Sequence, residues 1–242
     1  MNSSVLNLSA GCVVTATPRW WGLSRVGEAI RVFITGEIIQ RADALIAEIG
    51  DAADVHLHVD STGGDAVTAL GVYDALKGRC SVATINQAAS AAVAIALAAD
   101  RRLIVAGGRF MVHSARTVAF ATASGLREAA TITEEADERL LQILLERTGR
   151  PADVVKSWMA GPDRWFTAEE AIAAGLAHEI IPATAVATSI GDVTADIEPD
   201  DSEFCFSLLR AAGRIKVRDR RQFIRNLCVW ASNDSTVTET KK

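Results

Sequence analysis

The chain lacks any excess of basic charge. Its 25 lysines and arginines stand against 30 aspartates and glutamates, a net of −5 at neutral pH. Nucleic-acid-binding domains favour the opposite balance, so no nucleic-acid partner is expected. Cysteine is scarce: Cys12, Cys80, Cys205 and Cys228 lie far apart and form no C-x-x-C pair. That spacing suits neither a zinc site nor a disulfide framework, and it fits a reducing compartment. No apolar run reaches the roughly 18 to 20 residues of a membrane span, so no membrane partner is expected. The opening "MNSSVLNLSAGCVVTATPRWW" has no base ahead of its short apolar stretch, which makes it a poor secretory signal. Its "LSAGC" has the outline of a lipoprotein cleavage site without the basic start. The cytoplasm is the expected location. Internal repeats and low-complexity tracts are missing as well.

What is present is apolar material, 49% of 242 residues, enough for a sizeable core in one domain with tails. Between about residues 30 and 181 strand-like and helix-like segments alternate. "IRVFIT" is β-branched and aromatic, and "QRADALIAEIG" follows at helical spacing with Gly50 as a stop. "DVHLHVD" alternates, "STGG" breaks it, and "DAVTALGVYDALKG" is helical. "CSVATI" is a strand, and residues 86–100, "NQAASAAVAIALAAD", read as a buried helix. "RRLIV" and "RFMVH" are short strands, residues 124–148 a long charged helix, and "PADVVKSWM" and "TAEEAIAAG" shorter helices with Pro or Thr starts. Repeated βα units predict a largely parallel, layered α/β core. After Pro182 acids cluster in 192–203 and bases in 210–225, which reads as a linker followed by a basic tail, partly disordered.

Ser90 is the conspicuous residue, a lone hydroxyl at the mouth of an alanine-rich run. It is either a helix N-cap or a nucleophile at a helix start, where the positive dipole end favours an acyl-transfer oxyanion. A nucleophile needs a base, and only four histidines exist: His56, His58, His113 and His178. His178 follows a helix stop and is expected at the surface. His56, His58 and Asp60 alternate in "HLHVD" and could share a strand face as metal ligands, but no further histidine follows closely, and no metal site is expected. His113 ends the strand "RFMVH", where loops carry function. Gly63 and Gly64 in "HVDSTGGDAV" join a strand directly to a helix. They are either a tight turn or a cradle of N–H donors suited to an oxyanion; a phosphate loop lacks the Lys-Ser/Thr it would need.

Four stretches, "VDSTGGDAVTALGVYDAL", "NQAASAAVAIALAAD", "RFMVHS" and "DRWFTAEEAIAAGL", occur in that order over about residues 30–182. Together they resemble the proteolytic subunit of the Clp protease, whose matching stretches read Ser-Pro-Gly-Gly, Gly-Gln-Ala-Ala-Ser-Met-Gly, Met-Ile-His-Gln and Asp-Arg-Phe-x-Ser/Thr-Ala-x-Glu-Ala. The resemblance implies an α/β fold of the Clp and crotonase-like kind, a spiral of ββα units from which residues 124–148 project as a handle. It implies a nucleophile at Ser90, a general base at His113, an orienting acid at Asp163, and oxyanion-hole N–H groups at Gly64 and Ala91, with Gly63 supporting the turn. It further implies a cofactor-free serine endopeptidase that self-associates into rings, acts on peptide or unfolded protein, and has an AAA+ unfoldase as a candidate partner. A phage-type capsid maturation protease working without an ATPase, and an inactive assembly-only relative, are the alternatives of the same fold; a crotonase-like acyl-CoA enzyme is a third. The chain departs from the family pattern at Thr62, Asn86, Ala91-Ala92 and the segment "SARTVAFATASG". The expected division is an N-terminal segment 1–29, a peptidase domain 30–182, and an acidic linker with basic tail 183–242.

Overall fold

The computed structural model describes residues 19–26 and 29–183; the 1–18 segment and most of the expected linker and tail, 184–242, lie outside the described residues. In chain order the elements are β1 (Trp21–Val26), β2 (Ala29–Ile38), α1 (Ala42–Ile49), β3 (Val55–Gly64), α2 (Ala66–Leu76), β4 (Cys80–Ala89) and α3 (Ala92–Leu97). They continue as β5 (Arg101–Val112), α4 (Ala123–Thr148), α5 (Ala152–Met159), β6 (Arg164–Thr167), α6 (Ala168–Ala174) and β7 (Glu179–Ile181). Among the described residues one sheet of seven strands runs in the order β1-β2-β3-β4-β5-β6, with β7 also on β5. The β2–β5 ladders are parallel, as the βα repeats predict, while β1 and β6 are antiparallel.

Local chemistry explains most boundaries. Asp65 caps α2 by accepting the Thr68 N–H at 2.7 Å. Thr167 and Glu170 form a reciprocal capping box at the start of α6. Gly149 ends α4 in the left-handed conformation, φ 65°. In β3 burial alternates residue by residue, so Val55, Leu57, Val59 and Ser61 face the core while His56, His58 and Asp60 share the less buried face. There His56 lies 3.2 Å from Asp54, and His58 stacks on Phe33 with ring centroids 4.8 Å apart.

Two expectations are corrected. The run at residues 86–100 is not one helix: Asn86–Ala89 belong to β4, and the helix begins only at Ala92. Every residue of α3 is buried, so its sequence carries no amphipathic period to mark the start. "RRLIV" and "RFMVH" are the two halves of a single strand, β5. Its first half pairs with β7 and its second with β6, and the β4 register jumps from Ile85↔Ile104 to Gln87↔Arg109. The sheet itself begins at β1, ahead of residue 30. Trp21–Val26 pair with β2, and Trp20 and Trp21 pack edge to face in the core.

Arg102, at the start of β5, is the largest fully buried side chain, and among the described residues no carboxylate pairs with it. Its guanidinium instead donates to four carbonyls: Leu176 at 2.8 Å, Ala99 at 3.0 Å, Arg147 at 3.0 Å and Gly175 at 3.1 Å. These oxygens close the C-terminal ends of α3, α4 and α6, where orphan acceptors and the negative dipole end both favour a cation. Burial and the nearby Arg147 charge pull its pKa down to about 10, which leaves it protonated at neutral pH. His178 is exposed, as expected, and its Nδ1 accepts the Arg102 backbone N–H at 3.0 Å. Arg102→Met should lower the free energy of urea unfolding by about 3 kcal/mol or more, because several buried carbonyls lose their donor at once. A change below about 1 kcal/mol would mean that water satisfies them equally well.

Candidate active site

The site forms where three chain segments meet above the ends of β3, β4 and β5. Ser90 lies between β4 and α3 with φ 55°, one of two non-glycine residues with positive φ among those described. A left-handed serine costs about 1–2 kcal/mol relative to a right-handed one, so the surroundings must enforce it. Its N–H donates to the Met111 carbonyl of β5 at 2.9 Å, which fixes the turn to the neighbouring strand. The N-cap position of α3 is taken by Ala91, and no side chain caps that helix. The N-cap reading of Ser90 is therefore wrong, and its hydroxyl is left for other work.

That hydroxyl meets His113. His113 Nε2 lies 2.6 Å from Ser90 Oγ. With the serine as donor, the imidazole proton resides on Nδ1. Burial is the main cause that holds the His113 pKa below its usual value, Arg116 pushes the same way, and Asp163 and Asp137 oppose it.

Gly63 passes directly behind Ser90, and Gly64 follows it packed against Ile38 of β2. A Cβ on Gly63 would meet the Ala89 carbonyl oxygen at 2.5 Å and Ser90 Cβ at 2.7 Å. A Cβ on Gly64 would meet the Ile38 carbonyl oxygen at 2.1 Å. Both glycines have positive φ, so the close approach and the backbone conformation both demand them here. Ser61 steadies the turn: its hydroxyl donates to the Gly36 carbonyl at 2.6 Å and accepts the Gly63 N–H at 3.1 Å. The N–H of Ala91 makes no hydrogen bond among the described residues. A backbone donor left free beside a nucleophile can receive an oxyanion.

Ser90 and His113 stand at the edge of an apolar pocket walled by Ala66, Leu70, Ala94, Ala136 and Leu140. Its walls come from α2, α3 and α4, and they suit an apolar side chain of a substrate.

Asp163 is not brought into hydrogen-bond contact. Its Oδ1 lies 3.7 Å from His113 Nδ1 and instead pairs with the Arg116 guanidinium. Nδ1 of His113 is buried and without a partner among the described residues. Two charged residues that no motif singled out thus border the site: Arg116, and Asp137 of α4, which accepts the Ala115 N–H at 2.6 Å. Nothing in their spacing marks them; only the fold carries residues 115–116 past the middle of α4.

A family model described as Clp protease matches residues 24–184. The relative described as "ATP-dependent Clp protease proteolytic subunit 1" from Leifsonia xyli subsp. xyli is 29% identical over 160 residues, covering 64% of this chain and 80% of the relative. Subunit 2 of the same description from Tropheryma whipplei is 27% identical over 160 residues, covering 64% and 88%. Subunit 3 from Rhizobium meliloti is 30% identical over 159 residues, covering 63% and 81%.

Two glycine variants separate crowding from backbone strain. Gly78 also has positive φ, but a Cβ there would meet nothing within 4 Å. Gly78→Ala should cost about 1–2 kcal/mol in urea unfolding. Gly63→Ala should cost clearly more, because Ser90 must also move. Equal losses would contradict the packing described behind Ser90.

Proposed function

Since this chain belongs to the Clp protease family, we propose that it is a serine endopeptidase that cleaves peptide bonds through Ser90, His113 and Asp163. The observation that carries this reading is the 2.6 Å contact between Ser90 Oγ and His113 Nε2 on a left-handed turn beside an apolar pocket. Ser90 attacks the scissile carbonyl while His113 Nε2 takes its proton. The N–H groups of Gly64 and Ala91 receive the oxyanion, and the α3 start adds a favourable dipole. His113 then returns the proton to the leaving amine, and the acyl group remains on Ser90. In the second half His113 deprotonates a water, which attacks the ester and releases the acid. Asp163 stabilises the imidazolium formed in each half once it closes on Nδ1. No cofactor enters these steps.

The apolar pocket favours substrates with an apolar side chain next to the cleaved bond. The relatives' description as proteolytic subunits of an ATP-dependent protease supports assembly of this chain into rings and an AAA+ unfoldase as the partner that supplies unfolded protein. Among the described residues no helix is long and apolar enough to cross a membrane, and the proposed setting is the cytoplasm. The peptidase unit proposed here includes β1, with the segment after Pro182 as an appendage.

Ser90→Ala or His113→Ala should lower peptide hydrolysis by about 10⁵-fold, roughly 7 kcal/mol of transition-state stabilisation. Asp163→Asn should cost less, about 10⁴-fold, since it removes orientation rather than the base itself. Because His113 loses its proton more readily than a free imidazole, the acid limb of kcat/KM should lie below pH 6.5. Retention of more than a tenth of the activity by Ser90→Ala would overturn the assignment, and strong inhibition by EDTA would turn attention to His56 and His58.

A further inference from the structure

Arg116 has no counterpart in the motifs, yet it holds the carboxylate that His113 needs. Arg116 and His113 face the same oxygen, Oδ1 of Asp163: the guanidinium is in contact with it, and the imidazole Nδ1 stands 3.7 Å away. Nδ1 is buried and unpartnered among the described residues, while the competing ion pair is open to solvent, with side-chain exposures of 62% for Arg116 and 40% for Asp163. We propose that Arg116 is a positioning residue that draws Asp163 off His113 and so restrains the reaction until the arginine is displaced. This rests on the assignment of Ser90, His113 and Asp163 above.

The local backbone suits such a role. Arg116 lies in a segment between β5 and α4 that forms neither helix nor strand, and Val118 and Phe120 beside it are wholly exposed. Asp163 follows Gly161, whose φ of 123° and open surroundings set a turn between α5 and β6. Neither partner is locked by packing, and exposed pairs of this kind are weak enough to exchange. The charged and polar groups that face His113 are Ser90 from the β4–α3 turn, Asp137 from α4, Asp163 from the α5–β6 turn and Arg116 from its own segment. Asp137 is engaged by the Ala115 N–H, which leaves Asp163 as the carboxylate free to change partner.

The test is the titration of His113 by NMR in full-length protein carrying Ser90→Ala, with and without Arg116→Met, each repeated in an Asp163→Asn background. With Asp163 present, Arg116→Met should raise the His113 pKa, because a repelling charge leaves and the carboxylate closes on Nδ1. With Asp163→Asn the rise should shrink to the small direct effect of the lost charge. Equal rises in both backgrounds, or none in either, would overturn the proposal. With Ser90 intact, Arg116→Met should raise kcat about 2- to 5-fold at unchanged KM and move the acid limb to higher pH, with Arg116→Lys close to the parent. A fall in kcat would also overturn it. The titration does not depend on peptide hydrolysis, so its failure is distinct from failure of the peptidase assignment, which the parent's kinetics report.

Discussion

The left-handed turn at Ser90 is the constraint on which the rest of the site depends. A side chain at φ 55° is disfavoured by itself and persists only where neighbours determine it. Here the determination comes from three strands. β4 delivers the residue, the Met111 carbonyl of β5 holds its N–H, and the end of β3 packs so closely behind it that only glycine fits at position 63. The fully buried α3 then fixes the exit direction of the chain. With these four elements in place the hydroxyl cannot cap the helix and points to His113 instead. The parallel sheet is thus what holds the left-handed turn in place, and the proposed chemistry lies on the loops at its strand ends.

The two ends of the polar group set are built differently. Ser90 and His113 directly follow β4 and β5 and are half-buried, with 12% of the His113 side chain exposed. Asp163 sits on a solvent-facing turn with an arginine as its neighbour. Arg102 contributes elsewhere, where it ties the ends of three helices together through four carbonyl acceptors and also meets His178 Nε2 at 3.0 Å. Under the proposed roles, a half-buried nucleophile and base beside an exposed acid would let activity be graded without disturbing the core.

Much of this was legible in the sequence, for physical reasons that differ by element. Helices α2, α5 and α6 announce themselves through a cap, a proline or a stop glycine, and β3 through strict alternation. The glycine pair, Ser90 and His113 stand out because their residue types are costly or rare in those positions. The alanine run after Ser90 hid its own boundary, since a helix buried on every side has no polar face to mark its turns. Trp20 and Trp21 looked like part of a tail because β1 is short and its pairing partner is needed to see it. Nothing in the strand "RRLIV" singles out Arg102; its role appears only where three helix ends converge on it. Arg116 and Asp137 became visible only in three dimensions, because no spacing rule connects either with His113.

The central claim is that Ser90 is a nucleophile activated by His113. Its most direct test is mass-spectrometric mapping of the adduct after treatment of the full chain with a fluorophosphonate. The account predicts a single stoichiometric adduct on Ser90, slowed severely by His113→Ala and absent in Ser90→Ala. An adduct on another residue, or an unmodified Ser90 in protein that hydrolyses peptides, would contradict it.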